Sequence, residues 1–197
     1  MKKYTMAALL ALIFTGITSF FWFYDWKYSL PTPVPEGYKT VSCGTPIGVL
    51  RQLQSGNRPL FLHFFNPSCP CSRFNMPHFQ SLVKQYGSKV DFAIVVMSNK
   101  PHTAQDIQDR FRLEIPVLFD SAIARECGVY STPQAAIIDA GHKLYYRGNY
   151  NKSRYCTNKK SDYARLALED LLSNHPDLSF SPYAVKAYGC QLPTCTK

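Results

Sequence analysis

Two strand-length apolar runs with a helical segment between them constrain this chain more than any other feature. Leu60-Phe61-Leu62-His63-Phe64-Phe65 is almost continuously apolar, and so is VDFAIVVM over residues 90–97. A half-exposed strand alternates apolar and polar residues, whereas an unbroken run fits a strand covered on both faces. Between the runs, Phe74, Phe79, Leu82, Val83 and Tyr86 recur at helical spacing over residues 71–86, and Pro77 predicts a kink. Two such strands joined through a helix must pair in parallel. The alternation continues with an amphipathic helix over 103–113, N-capped by Thr103, and a short strand over 116–119. A short helix over 121–127 ends at Gly128 as a left-handed cap. Residues 134–139, the turn Ala140-Gly141-His142 and residues 143–147 form a hairpin that adds an antiparallel pair. A last amphipathic helix covers 161–173, and residues 45–55 read as a short helix ahead of the first strand. The expectation is an α/β fold with a central mixed sheet flanked by helices.

Length allows one such domain with short extensions: the chain has 197 residues. With 46% hydrophobic and 18% charged residues it can fill a core, which excludes a disordered protein. The net charge of +9 is scattered; its densest groups, Lys2-Lys3 and residues 152–160, carry no nucleic-acid motif. No nucleic-acid partner is therefore expected, and anionic lipid headgroups suit the basic surface better. Residues 6–23 are uncharged and long enough to cross a bilayer, with Lys2 and Lys3 before them and Trp22, Tyr24, Trp26 and Tyr28 at the far end. That order predicts an N-terminus inside and a body outside. No small-x-small cleavage site follows, so residues 1–28 read as an uncleaved anchor; a cleaved signal peptide would export the body equally. Residues 29–37 (SLPTPVPEG) read as a stiff linker, 38–173 as the domain and 174–197 as a cysteine-containing tail.

Seven cysteines suit an oxidising space, and the odd number leaves at least one thiol outside intramolecular pairs. Two of them, in Asn66-Pro67-Ser68-Cys69-Pro70-Cys71-Ser72-Arg73, stand where a buried strand gives way to a helix. Unpaired N–H groups at a helix start stabilise an anion, so a thiolate there gains stability and reactivity. Arg73 adds positive charge. Cys69 is the expected nucleophile and Cys71 its resolving partner, in a disulfide across one residue.

A second motif, Gly128-Val129-Tyr130-Ser131-Thr132-Pro133, precedes the strand that ends in Ile138-Asp139. A strand, cysteines at a helix start, and then G-V-x-x-T-P resemble the thioredoxin-like superfamily, in particular its membrane-anchored TlpA-like and redoxin branch. The resemblance covers about residues 43–173. It implies a cis-proline at Pro133 facing the cysteine motif, and a Thr132 backbone that pairs with a bound peptide or thiol substrate. Met76-Pro77 matches the family's Met-Pro in the helix. The family's W-C-P-P-C lays Ser68 on Trp, Cys69 on the first Cys, Pro70 on Pro, Cys71 on the second Pro and Ser72 on the second Cys. The motif is thus a variant C-P-C-S, with Pro70, Ser72 and Arg73 as activating or positioning residues and Thr132 and Pro133 as substrate-binding ones.

The apolar segment predicts a single-pass membrane protein with its domain outside, and the resemblance implies a bacterial origin, hence an inner membrane with the domain facing the periplasm or exterior. Its expected activity is thiol-disulfide exchange with a protein or small-thiol disulfide substrate, without a cofactor. Two other classes compete. A soft Cys-x-Cys pair suits Cu(I), making Cys69 and Cys71 the alternative ligands of a copper-delivery protein. That family's C-x-x-x-C spacing is missing, and neither His63 (a core position), His78 nor His142 (a solvated turn) is clearly a third ligand. A redox-inactive binding module is the other class. A peroxidatic reading needs P-x-x-x-T/S-x-x-C, which Pro67-Ser68-Cys69 does not supply. Cys127 reads as a buried core thiol. Cys43, Cys156, Cys190 and Cys195 read as structural disulfide formers, with Cys156 closing onto Cys190 or Cys195 and the connectivity open.

Overall fold

The apolar run that opens the domain becomes β1 (Leu60–Phe65), buried at every position. The computed structural model describes residues 2–26, 30–48, 53–54, 56–152, 156–173 and 179–192. Alternate β1 side chains feed two cores, which is why the run has no polar face. Phe61 and Phe65 join one core with Phe79, Leu82 and Ile137. Leu60, Leu62 and Phe64 join the other with Val95, Ile123 and Val129.

From β1 the chain forms α2 (Pro70–Tyr86), β2 (Asp91–Val96), α3 (Ala104–Phe111), β3 (Val117–Leu118) and α4 (Ala122–Glu126). Then follow β4 (Ser131–Thr132), β5 (Gln134–Ile138), β6 (Leu144–Gly148) and α5 (Tyr163–Leu172). The main sheet has the order β3-β2-β1-β5-β6. β1 pairs in parallel with β2 and antiparallel with β5, and β6 closes the antiparallel hairpin. This is the expected mixed sheet flanked by helices. Thr103 caps α3 through a complete capping box with Asp106, and Gly128 adopts φ +67° after α4.

Ahead of the domain, α1 (Lys2–Phe21) continues into a π-helical turn, Trp22–Trp26. Residues Lys3–Tyr24 are long and apolar enough to cross a membrane, with a mean hydropathy of 2.0 over the most apolar window. Within this helix Thr15 and Thr18 donate their hydroxyls to the carbonyls of Ala11 and Phe14, which satisfies both donors without water.

Three expectations change. Residues 45–48 are not helical; they run beside the β5–β6 hairpin, where Pro46 bridges Lys143 and Leu144 N donates to Thr45 O. Burying Ile47 there outweighs local helix preference, while residues 49–52 and 55 of that segment lie outside the described residues. The described part of the tail, in which the sequence marked no element, holds two: α6 (Pro182–Val185) precedes β7 (Cys190–Gln191), which pairs antiparallel with β4. The linker is joined to the domain rather than standing clear of it. Pro31 bridges Tyr188, and buried Thr32 has its Oγ1 2.9 Å from Ser131 Oγ and donates its N–H to Ala187 O. Residues 30–32, the tail and β4 therefore lie side by side.

Candidate active site

β1 delivers the chain to a tight turn at Asn66, and Cys69 sits at the N-cap of α2 in extended conformation (φ −87°, ψ 123°). Pro70 occupies the first helical turn, where its missing N–H costs nothing. The first turn holds no acidic residue, so no carboxylate opposes the positive end of the helix. Ser72 is buried, and its Oγ accepts the N–H of Asn66, tying the strand end to the helix. Arg73 donates its backbone N–H to Cys69 O while its side chain is exposed.

On the opposite side, the Thr132–Pro133 bond is cis. Cys69 Sγ lies 3.8 Å from Thr132 O, so the cysteine motif and the Thr-Pro loop do face each other. Thr132 is fully buried, and its Oγ1 has no hydrogen-bond partner among the described residues.

The covalent arrangement differs from the one expected. Cys69 is bonded to Cys190 of the tail, 121 residues away, with Cα atoms 6.4 Å apart. Cys71 stays outside that bond, although the sulfurs of Cys69, Cys71 and Cys190 all lie within 4.8 Å of one another. The Cys156–Cys190 closure is therefore not formed, and Cys195 lies outside the described residues. Cys156 instead receives the Asn75 Nδ2 donor at 3.0 Å. Cys43 is exposed and not disulfide-bonded. The tail had offered no periodicity, so its place beside Cys69 could not be read locally.

Cys127 and Cys156 are held away from nucleophilic chemistry. Burial pushes Cys127 up to about 12 and Cys156 up to about 11, the Asn75 bond opposing the second shift. The three histidines weighed as metal ligands have side-chain partners other than the sulfurs. His63 Nδ1 meets Tyr150 Oη at 2.8 Å, His78 Nε2 lies 2.9 Å from Asp162 Oδ1, and His142 Nδ1 contacts Gln54 Oε1. A separate cavity, lined by Pro59, Lys89, Asp139 and Leu172 among others, sits where β1 begins and β5 ends. That is the opposite end of the sheet from Cys69.

An α/β domain of this topology, with a cysteine at a helix start facing a cis-proline loop, has a thioredoxin-like fold. The chain belongs to the family described as domain of unknown function DUF6436, whose model matches residues 45–194. Among solved structures it is similar to a hypothetical protein of Sinorhizobium meliloti 1021, at 17% identity and a TM-score of 0.64 over 78% of this chain and 95% of that one. It is also similar to an uncharacterized conserved protein from Geobacillus kaustophilus, at 18% identity and 0.65 over 84% and 100%. A thioredoxin-like protein in its oxidized form matches at 17% and 0.51 over 73% and 97%. These likenesses establish the fold. Among curated proteins, none matches the chain.

Proposed function

We propose that this protein is a membrane-anchored, extracytoplasmic thiol-disulfide oxidoreductase of the TlpA-like and redoxin type, with Cys69 as its nucleophile. One observation carries the reading: Cys69 caps a 17-residue helix, faces the Thr132–Pro133 loop, and is already half of a disulfide with a third cysteine in reach. Once that bond is reduced, the unpaired N–H groups of α2 stabilise a Cys69 thiolate. The thiolate attacks one sulfur of a substrate disulfide; a Cys69 mixed disulfide forms and the other substrate sulfur leaves as a thiolate. A second sulfur of the cluster, Cys71 or Cys190, attacks Cys69 Sγ and expels the first. The substrate gains two electrons, and the protein is left with one disulfide. Thr132 and Pro133 position the partner, Pro70 and Ser72 hold the turn, and Arg73 adds positive charge at the helix start. The span Lys3–Tyr24 holds the domain at the inner membrane, on the periplasmic or outer side.

The test equilibrates the full-length protein, in detergent micelles, across graded dithiol and disulfide buffers, then alkylates and maps each cysteine. Cys69 is expected to switch reversibly while Cys127 and Cys156 stay thiols throughout. Cys69→Ser should lower dithiothreitol-driven insulin reduction by about 100-fold or more. If Cys69 never changes state and Cys69→Ser is as active as the parent, the redox reading fails. The soft-metal reading then moves ahead, because reduced Cys69, Cys71 and Cys190 would offer three thiolates to Cu(I). It requires stoichiometric Cu(I) that Cys71→Ser loses.

A further inference from the structure

The tail occupies the position that a substrate strand would need. β7 pairs antiparallel with β4 in the register Thr132↔Cys190 and Ser131↔Gln191. Ser131 Oγ donates to Cys190 O at 3.2 Å, and Thr32 Oγ1 donates to Gly189 O at 3.2 Å. With the tail in place Cys69 is only 3% exposed, so no external disulfide reaches its sulfur. The fit depends on Gly189. Its φ is +142°, and a Cβ there would overlap Thr132 O and stand 3.1 Å from Ser131 Oγ. Residues 183–187 of the tail are fixed independently, with Ala184 and Ala187 fully buried and Asn149 bonded to three carbonyls of this stretch. From Gly189 onward it depends on the strand pairing, the linker contacts, the partly buried Leu192 and the disulfide.

We infer that Cys190 is the resolving cysteine of Cys69, and that its strand competes with substrate for the Thr132 edge. The inference rests on the oxidoreductase reading above. A dithiol reductant passes two electrons and two protons to the Cys69–Cys190 bond, giving two thiols and a disulfide on the reductant. The strand from Gly189 onward then leaves the β4 edge, and an extended disulfide-bearing peptide takes its place. Cys69 attacks one substrate sulfur, and the other departs as a thiol. Cys190 thiolate next attacks Cys69 Sγ, displaces the remaining substrate sulfur as a thiol and reforms the Cys69–Cys190 bond. As β7 re-pairs with Thr132, it displaces the product from the edge. Bond formation and product release thus become one event.

The experiment reacts reduced full-length protein, in detergent micelles, with a peptide containing one disulfide, then quenches with acid and maps cysteine adducts by mass spectrometry. The parent and Cys71→Ser are expected to release the reduced peptide and regain Cys69–Cys190. Cys190→Ser should accumulate the peptide on Cys69 at least tenfold over the parent. Gly189→Ala keeps every sulfur but cannot seat the strand, so it should accumulate the same adduct and reform Cys69–Cys190 at least tenfold more slowly. Accumulation in Cys71→Ser with normal turnover in Cys190→Ser and Gly189→Ala would overturn the assignment and make Cys71 the resolving thiol, leaving the oxidoreductase reading intact. No peptide on Cys69 in any variant would overturn that reading and this inference together.

Discussion

His63 interrupts an otherwise apolar β1, and its environment decides its charge. The ring is fully buried, stacks on Phe79 at a centroid distance of 4.4 Å and meets Tyr150 Oη through Nδ1. Nε2 has no hydrogen-bond partner among the described residues. Burial, helped by nearby His78, pushes the imidazole down from 6.5 to about 3. In the folded protein it is therefore neutral through the ordinary pH range. Above 6.5 neither the folded nor the unfolded chain protonates this side chain, and its contribution to stability is complete. As pH falls toward about 3, the unfolded chain takes up a proton that the folded chain refuses, and stability is lost. The loss approaches about 1.4 kcal/mol per pH unit. Urea unfolding of the full chain in micelles, followed by near-ultraviolet circular dichroism, checks this. His63→Leu should show a shallower fall in stability than the parent between pH 6.5 and 4, since the carboxylates titrate in both. Parallel pH profiles would show that His63 does not carry the effect.

At the scale of elements, the tail is built onto the end of β6 by one residue. Asn149 is buried; its Nδ2 donates to Tyr183 O at 2.8 Å and Lys186 O at 2.6 Å, and its backbone N–H donates to Ala184 O. One side chain thus satisfies carbonyls that a four-residue helix cannot satisfy within itself. Asn149→Ala leaves those acceptors without donors, at a cost of about 1–3 kcal/mol. Amide exchange over residues 183–191 should quicken, and the Cys69–Cys190 fraction should fall at a fixed dithiol to disulfide ratio. Unchanged exchange would show that apolar burial of Ala184 and Ala187 suffices. The contrast with β1 and β2 explains what the sequence revealed. Those strands, α2 and the β5–β6 hairpin carry their signal within a few residues, as an apolar run, a helical period or a turn. The facing of Cys69 and Thr132 followed from two such local motifs and the family they resemble. β7 has two residues, too few for any period, and its partner lies 59 residues earlier. Residues 45–48 looked helical by composition, but Ile47 is buried against a hairpin that forms almost 100 positions later. Pairings of that range are decided by the assembled core.

For the whole molecule, the proposed function makes the side of the membrane on which the domain lies decide which thiol pool it meets. Lys2 and Lys3 precede the span, and Trp22, Tyr24 and Trp26 stand at its other end, the order of an N-terminus inside and a domain outside. A Cys69–Cys190 disulfide agrees with that side, because cytosolic thiols are kept reduced. Cys43 supplies an independent reporter. It is exposed and outside any disulfide, whereas Cys71 and Cys127 are buried and Cys156 is half-buried. A membrane-impermeant maleimide applied to spheroplasts expressing the full chain should label the protein before lysis, and Cys43→Ser should remove most of that label. Labelling that requires lysis would put the domain in the cytoplasm. A disulfide there would be kept reduced, so Cys69 and Cys190 would rest as thiols and the strand from Gly189 onward would lose its covalent tie. The labelling pattern therefore tests the proposed orientation, which two unrelated observations support: the charges at residues 2–3 and the bond between the sulfurs of residues 69 and 190.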